Sequence, residues 1–303
     1  MSTTIEVPVA QPVVPVPGRR NRFLRNLWTV LRRKPSRMFG AFLVVLFVVM
    51  GIVGPWLYPD NLDHDDTLTL AGPSLAHPLG TDFEGTDVLA LLVIGSRYVL
   101  VAASFAAILT VLVGTSVGLY AGYRRGRPDS ALMRVTDFVL TIPGFPLLLV
   151  LSTVWKFDSA LQMGLVLGIT GWGGLARAVR SQTLSLRERG FVEAARGLGM
   201  STTHVVTREL LPNIAPYVAM NLLVGVTTFI YSQVGLFYLG VLPYDSTNWG
   251  VMIQLAVDNG VTQTGVGLSY LMAPLVSILL LTLGVVLLVD AMDEVFNPRL
   301  RGD

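Results

Sequence analysis

The chain has 303 residues, of which 52% are hydrophobic and only 14% are charged. Soluble domains average about a quarter charged residues, so this composition excludes an ordinary soluble globular protein. There is no cysteine, which excludes disulfides, zinc–thiolate sites and a cysteine nucleophile. Charge-free apolar stretches of at least about 18 residues, the length of a membrane-spanning helix, recur along the chain.

The N-terminal segment is predicted to be a cytoplasmic tail that covers residues 1–37. It opens with a Pro/Val segment that ends at Gly18, a composition typical of disordered chain. The apolar run that starts near Met38 begins too late and is too long for a cleavable signal peptide. We therefore expect it to remain as a membrane anchor.

Six membrane-spanning helices are predicted, because a spanning backbone must satisfy its own hydrogen bonds. They are Phe39–Leu57, Val99–Gly122, Phe138–Trp155, Ala160–Ala176, Tyr217–Gly240 and Leu268–Val289. The first helix and an acidic outer loop form one region, 38–98, and five helices form a core, 99–290. A long cytoplasmic loop, 177–212, interrupts the core, and a cytoplasmic tail, 291–303, follows it.

The distribution of positive charge predicts the orientation. All but two of the 22 lysines and arginines lie in the first segment, in alternate loops or at the C-terminal end. Only Arg97 and Lys156 lie on the opposite side. Because basic loops remain in the cytoplasm, both termini are predicted to be cytoplasmic in a multi-pass protein of the prokaryotic cell membrane.

The predicted spans contain no carboxylate or histidine at mid-membrane depth, where a proton-coupled carrier would be expected to have one. A sodium-coupled carrier that uses backbone carbonyls stays open. The only lysines, Lys34 and Lys156, do not lie in a phosphate-binding P-loop. Energy for active transport is thus expected from another chain. The glycines at 168, 171, 173 and 174 are interpreted as sites of close helix packing.

The loop 177–212 has helix-forming residues on both sides of a break. Gly199 is a plausible C-cap and Ser201 a plausible N-cap, so two short helices at an angle are predicted, with a stop at Leu211 and Pro212. An ordinary solvated loop is the alternative. Glu193-Ala194-Ala195, followed by Gly199 and by Leu211-Pro212, resembles the EAA signature of membrane subunits of bacterial ABC importers.

The resemblance implies an all-α integral membrane subunit with the type I ABC-importer permease fold. It also implies that this loop is a coupling helix that docks on an ATPase subunit. The residues carried over to that role are Glu193, Ala194, Ala195, Gly199, Leu211 and Pro212. Glu209 departs from the family pattern, since isoleucine is common at that position.

Further landmarks resemble the second permease of dipeptide, oligopeptide and nickel importers. They are His77-Pro78-Leu79-Gly80-Thr81-Asp82 with Gly85 and Asp87-Val88-Leu89, Arg134, Asp137 and Ile142-Pro143, Trp249-Gly250 and Asn297-Pro298-Arg299-Leu300. Thr86 stands where these relatives usually carry arginine. The implied cargo is di- or oligopeptides, with oligosaccharides or nickel chelates as alternatives.

The implied partners are a second, similar permease, two ATPase subunits that hold ATP and Mg²⁺, an extracytoplasmic binding protein and membrane lipid. No nucleic acid, and no cofactor in this chain, is expected. A polar, uncharged set is predicted either to line the solute pathway or to form helix–helix contacts: Thr227, Thr228, Tyr231, Ser232, Gln233 and Tyr238.

Three other interpretations are disfavoured. A metal site in the outer loop would use histidine and acidic side chains, which suit nickel or zinc: His64, Asp65, Asp66, His77 and Asp82. These residues lack a recognisable ligand spacing, so a solvated loop is favoured. A secondary carrier or channel is disfavoured by the EAA loop. A membrane enzyme would need a reactive group near a span end, where Arg134 and Asp137 are better explained as an ion pair.

Overall fold

The computed structural model describes residues 19–58, 62, 64–155, 157, 159–242 and 245–296. Their regular structure is helical, apart from an isolated bridge between Thr81 and Asp87. The helices are α1 Arg19–Arg33, α2 Pro35–Leu57, α3 Val88–Arg124, α4 Arg127–Thr141, α5 Gly144–Val154, α6 Ala160–Leu186, α7 Gly190–Gly197, α8 Thr202–His204, α9 Leu211–Tyr238, α10 Trp249–Asp258, α11 Val261–Thr264 and α12 Leu268–Phe296. A 3₁₀ turn, Asp66–Leu68, and a π turn, Val205–Leu210, complete the set.

Some predicted features lie outside the described residues. These are the Pro/Val segment, the Lys156 and Asp158 turn, and the landmark Asn297–Leu300.

Four helical segments of the described chain are long and apolar enough to cross a membrane: Pro35–Gly54, Val88–Arg124, Thr202–Tyr238 and Leu268–Phe296. The pair α4 and α5 reaches this standard only when it is taken together. The 27-residue α6 has the length, but its five glycines make it less apolar. The all-α membrane fold is confirmed, whereas the count of six spans stays a prediction.

The third predicted span, Phe138–Trp155, is wrong as a single helix. Its two halves, α4 and α5, meet at an angle of 78°. Ile142 has an extended backbone and Pro143 is the N-cap of α5. The ring of a proline disfavours helical backbone in the residue before it, so the chain bends here.

The segment 1–37, predicted as a tail, contains a regular helix, α1, that packs on the C-terminal end of α12. Leu31 contacts the small core cluster that Ala291 and Val295 form. Arg37 at the start of α2 is 3% exposed and hydrogen-bonds both Asp290 and Glu294 of α12. The N-terminal end of α2 and the C-terminal end of α12 therefore lie together.

Helices α3 and α6 are in direct backbone contact along most of their length. A Cβ on Gly164 would lie 2.6 Å from the carbonyl oxygen of Ala102, and one on Gly118 would lie 2.6 Å from that of Ala176. The residue numbers in both helices rise from one contact to the next, so the two helices are parallel. A Cβ on Gly168, one of the predicted packing glycines, would likewise lie 2.9 Å from the Ala106 carbonyl oxygen.

The other three predicted packing glycines differ among themselves. Gly171 faces Phe229 of α9 and Gly173 faces Leu140 of α4, whereas a Cβ on Gly174 would meet nothing within 4 Å. The packing interpretation is confirmed for three of the four.

Helix α9 runs antiparallel to α3. The Gln233 side chain donates to the carbonyl oxygen of Val99 at 2.8 Å, and Gly225, eight residues earlier, faces Ala107, eight residues later. Helix α2 is also antiparallel to α3, since Gly54 faces Val93 and Gly51, three residues earlier, faces Arg97, four residues later.

Two ion pairs join α4 to α6. Asp129 accepts two hydrogen bonds from the Arg180 guanidinium, at 2.6 and 2.7 Å. Asp137 accepts from Arg177 at 2.6 Å. The pairing of Asp137 with Arg134 that the sequence suggested is wrong, because Arg177 of the neighbouring helix reaches that carboxylate.

Candidate coupling surface

Helix α7 is an eight-residue helix with one face buried against the rest of the chain. Val192 is completely buried and Ala195 is 5% exposed. They join a core cluster with Leu210 at the end of the π turn and Ile214 of α9. Burial of these apolar side chains fixes α7 against the ends of α3, α6 and α9.

The bend after α7 has the hydrogen-bond pattern of a Schellman motif. The Gly199 N–H donates to the Arg196 carbonyl at 2.9 Å, and the Met200 N–H donates to the Ala195 carbonyl at 3.2 Å. Gly199 has a φ of +70°, in the left-handed region that favours glycine. The predicted C-cap is confirmed.

The next helix starts directly after this bend. The Ser201 hydroxyl accepts from the His204 N–H at 3.2 Å, which confirms the predicted N-cap. The second helix is not short, however. From Thr202 the helical chain continues through the π turn into α9 and ends at Tyr238.

The predicted stop at Leu211 and Pro212 is therefore wrong. Leu211 begins α9 and Pro212 occupies its first turn. Proline lacks an N–H and clashes with the carbonyl four residues earlier in a regular helix. The π turn before it has wider i→i+5 hydrogen bonds, such as that from the Leu211 N–H to the Val206 carbonyl, and accommodates the ring without ending the helix.

Glu209, the departure from the family pattern, lies half-buried inside this π turn. Its backbone carbonyl accepts a hydrogen bond from the Asn213 side chain at 2.6 Å.

The outward face of the bend combines apolar and acidic side chains. Leu198 is 76% exposed, Phe191 and Met200 are also exposed, and Glu193 and Ala194 lie between them. Exposed apolar side chains that form a patch are typical of a contact with another protein, and Phe191, Leu198 and Met200 lie within ten residues of one another along the chain. Of the two alanines of the signature, only Ala194 is available for such a contact. Ala195 is buried inside the chain, a position that the sequence pattern did not reveal.

A cationic rim surrounds the base of this surface. The Arg187 guanidinium donates to the Tyr123 carbonyl at 2.7 Å, and the Arg196 guanidinium lies 4.9 Å from the centre of the Tyr123 ring. Burial, and then the nearby charges of Arg125 and Arg196, lower the pKa of Arg187. The rim fixes α7 to the end of α3.

Comparison with known families identifies this architecture. The family model for the binding-protein-dependent transport system inner membrane component matches residues 114–302, which include α6, α7, α9 and α12. The chain belongs to this family. A second model, the N-terminal TM domain of oligopeptide transport permease C, matches residues 22–77.

Individual permeases are similar over most of their length. The dipeptide transport system permease protein of Bacillus subtilis (strain 168) is 30% identical over 76% of this chain and 72% of its own. The glutathione transport system permease proteins of Shigella dysenteriae serotype 1 and of Escherichia coli O157:H7 are each 30% identical over 91% of both chains. The resemblance to an ABC-importer permease is thereby confirmed, and the family is one of membrane subunits rather than enzymes.

In this permease the six predicted pathway residues separate into two groups. Thr227 and Gln233 are buried inside the bundle, where the Thr227 hydroxyl donates to the Val224 carbonyl at 2.8 Å. Gln233, whose side chain bonds the Val99 carbonyl of α3, matches the helix–helix contact interpretation, whereas the Thr227 bond lies within α9. Thr228, Tyr231 and Tyr238 are exposed, and Ser232 is half-buried.

Tyr231 and Tyr238 border a groove between α9, α10 and α12. The Tyr231 hydroxyl lies 2.9 Å from that of Thr282 on α12. Tyr238 borders the outer part of the same groove, together with Ile253 and Thr262. This face presents hydroxyl groups on an apolar wall.

The outer loop uses its acidic residues as caps. The Asp82 carboxylate accepts from the Glu84 and Thr86 N–H groups, and Asp87 is the N-cap of α3, 3.1 Å from His77 Nδ1. Within the described part of the chain, no three histidine or acidic side chains form a group that holds a metal.

Two further outer-loop positions are explained locally. Hydrogen bonds from Thr67 lower the pKa of Asp65. Thr86, in the place where arginine is usual, is 1% exposed, and its hydroxyl lies 2.8 Å from His64 Nδ1. A buried threonine thus occupies this place.

Proposed function

We propose that the chain is one of two permease subunits of an ATP-driven importer for di- and oligopeptides in a prokaryotic cell membrane. The peptide cargo is inferred from the similarity to permeases named for a dipeptide and for the tripeptide glutathione. The hydroxyl-bearing face of Thr228, Tyr231 and Tyr238 supports it, because such groups hydrogen-bond peptide amides without a fixed charge.

The helix directions support six spans with both termini in the cytoplasm. Helices α3 and α6 are parallel, so the chain between them must return across the membrane, and the bent pair α4–α5 is the segment that connects them. The contact of Arg37 with Glu294 joins the start of α2 to the end of α12. This contact supports a first span that begins, and a last span that ends, on the same side of the membrane, which is the side rich in arginine.

We further propose that the bend from Gly190 to Ser201 docks on an ATPase subunit. Leu198 and Ala194 supply an apolar contact, and Glu193 has no ion-pair partner among the described residues. A basic groove on the ATPase would complement this carboxylate. Closure of two ATPase subunits on ATP and Mg²⁺ would then move the bends of this chain and of a second permease, after a binding protein has delivered the solute.

The cargo is tested by uptake. A strain that lacks this subunit is expected to lose uptake of labelled di- to pentapeptides, and the wild-type gene is expected to restore it. If peptide uptake is unchanged while uptake of an oligosaccharide or a nickel chelate is lost, the peptide assignment is wrong and the permease role stands. If no binding-protein-dependent uptake changes, a secondary carrier or channel is favoured.

The docking surface is tested in the same strain. Glu193→Arg is expected to abolish uptake and solute-stimulated ATP hydrolysis while the protein still inserts, because the reversed charge repels a basic groove. Asp293→Arg, a charge reversal at an exposed position of α12, is the matched control and is expected to retain both activities. Full ATPase association and stimulation with Glu193→Arg would exclude this docking surface.

A further inference from the structure

An apolar groove lies between α2 and α9, and Arg97 is the one charged side chain among the described residues that line it. Its volume is about 590 Å³, and α3 and α12 complete its lining. The residues that define it are Val48, Ile52, Arg97, Leu100, Leu223 and Val285. No acidic side chain lines it in the described part of the chain.

Arg97 lies deeper in the bundle than the end of α2. A Cβ on Gly51 would lie 3.7 Å from the Arg97 Cα, so these two residues are level. Trp56, which also lines the groove and is 82% exposed, is five residues further along α2, about 7.5 Å at 1.5 Å per residue. Tryptophan is enriched at the membrane interface, which puts the Arg97 backbone on its hydrocarbon side.

The exposure of α3 agrees with this depth. Val101, one turn beyond Arg97, is 38% exposed, and Leu112, eleven residues beyond Val101, is 61% exposed. Arg97 therefore stands where the apolar, lipid-exposed face of α3 begins. An arginine at such a position extends its guanidinium toward the headgroups.

The guanidinium has no hydrogen-bond or ion-pair partner among the described residues. A charged side chain is costly inside a bilayer, so an anion beside the guanidinium stabilises an arginine near the interface. The planar guanidinium matches a phosphate, to which it donates two parallel hydrogen bonds. Among the described residues the lining has no carboxylate, which disfavours a headgroup that also carries a cation.

We propose that this groove binds an anionic phospholipid, with its phosphate on Arg97 and an acyl chain along the apolar walls of α2 and α9. The site lies in the leaflet that faces the α2–α3 loop. It does not depend on the solute that the permease carries.

The site is tested on the assembled transporter in lipid nanodiscs. These contain brominated phosphatidylglycerol or, at the same mole fraction, brominated phosphatidylcholine. Bromine quenches tryptophan on contact, and the difference between wild type and Trp56→Phe isolates the Trp56 signal. Phosphatidylglycerol is expected to quench Trp56 more strongly than phosphatidylcholine. Arg97→Gln is expected to reduce the relative affinity about tenfold, the size of a lost charged hydrogen bond.

Arg134→Gln, at an exposed arginine of α4, is the matched control and is expected to retain the preference. Equal quenching by the two lipids in the wild type would overturn the proposal, since the groove would then hold lipid without headgroup selection. Absence of quenching by either lipid would overturn it too, because the second permease would then cover the groove. The readout contains no transport step, so its failure is distinct from failure of the proposed function.

Discussion

Replacement of Gly199 by alanine isolates the contribution of the bend geometry to coupling. A Cβ at Gly199 would meet nothing within 4 Å, so the methyl group has room inside the chain. The φ of +70° remains, and this left-handed backbone costs a residue with a Cβ about 1–2 kcal/mol. Since 1.4 kcal/mol corresponds to a factor of ten, the population of the Schellman bend relative to an opened bend is expected to fall about five- to thirty-fold.

The matched control is Gly197→Ala. Its added Cβ also has nothing within 4 Å, but Gly197 is the last residue of α7 and has no positive φ. Alanine is favoured over glycine in a helix by about 1 kcal/mol, so this variant is expected to stabilise α7.

The assay is solute- and binding-protein-stimulated ATP hydrolysis by the reconstituted complex, with uptake in vesicles. Gly199→Ala is expected to lower both, Gly199→Asn to lower them less because asparagine tolerates left-handed backbone, and Gly197→Ala to retain them. Equal activity of Gly199→Ala and wild type, or an equal loss in Gly197→Ala, would refute the reasoning that the left-handed bend is required.

Two further predictions concern packing and topology. Gly118→Ala is expected to lower the melting temperature of the purified complex, because its Cβ would lie 2.6 Å from the Ala176 carbonyl oxygen, whereas Gly174→Ala, with open space, is expected to retain it. In intact cells, single cysteines at the exposed positions 67 and 262 are expected to react with an impermeant thiol reagent and one at Ser201 is not. Labelling at Ser201 would contradict the orientation and the docking surface together.

Local signals predicted the bend of the docking surface correctly. Gly199 and Ser201 act through hydrogen bonds to residues within five positions, so the sequence alone contains the information that places both caps. The π turn was not predicted, because Pro212 is a helix-breaking residue by its own chemistry. Only the unusual hydrogen bonding of the six residues before it permits a continuous helix.

The sequence of helix α1 contains an apolar pattern that is hard to recognise among its many arginines. Leu27, Val30 and Leu31 recur at the three- and four-residue spacing of one helix face, and this is the face that packs near α12. A tail was predicted because positive charge was interpreted as topology alone. Apolar periodicity therefore predicts where this helix lies in the sequence. Its packing on α12 depends on tertiary contacts, which the sequence pattern does not contain.

The pathway prediction was incomplete for a similar reason. Thr228, Tyr231 and Tyr238 are three, seven or ten residues apart, which places them near one face of α9, and Gln233 lies on the other face. Helical periodicity separates Gln233 from this group, but not Thr227, which is four residues before Tyr231 and is buried by its tertiary surroundings. It does not reveal that the Gln233 side chain bonds the Val99 carbonyl, since this contact joins residues that are 134 positions apart.

The glycine contacts between α3 and α6 also restrict how the permease can change shape. Backbone meets backbone at Gly118 and Gly164, so there is no layer of side chains between the two helices that can change rotamer as they slide. We expect the pair to keep its register as a fixed frame while a solute passes. The moving surfaces are then the flexed α4–α5 joint at Pro143 and the exposed side of α9, where Tyr231 contacts Thr282 through a single pair of hydroxyl groups.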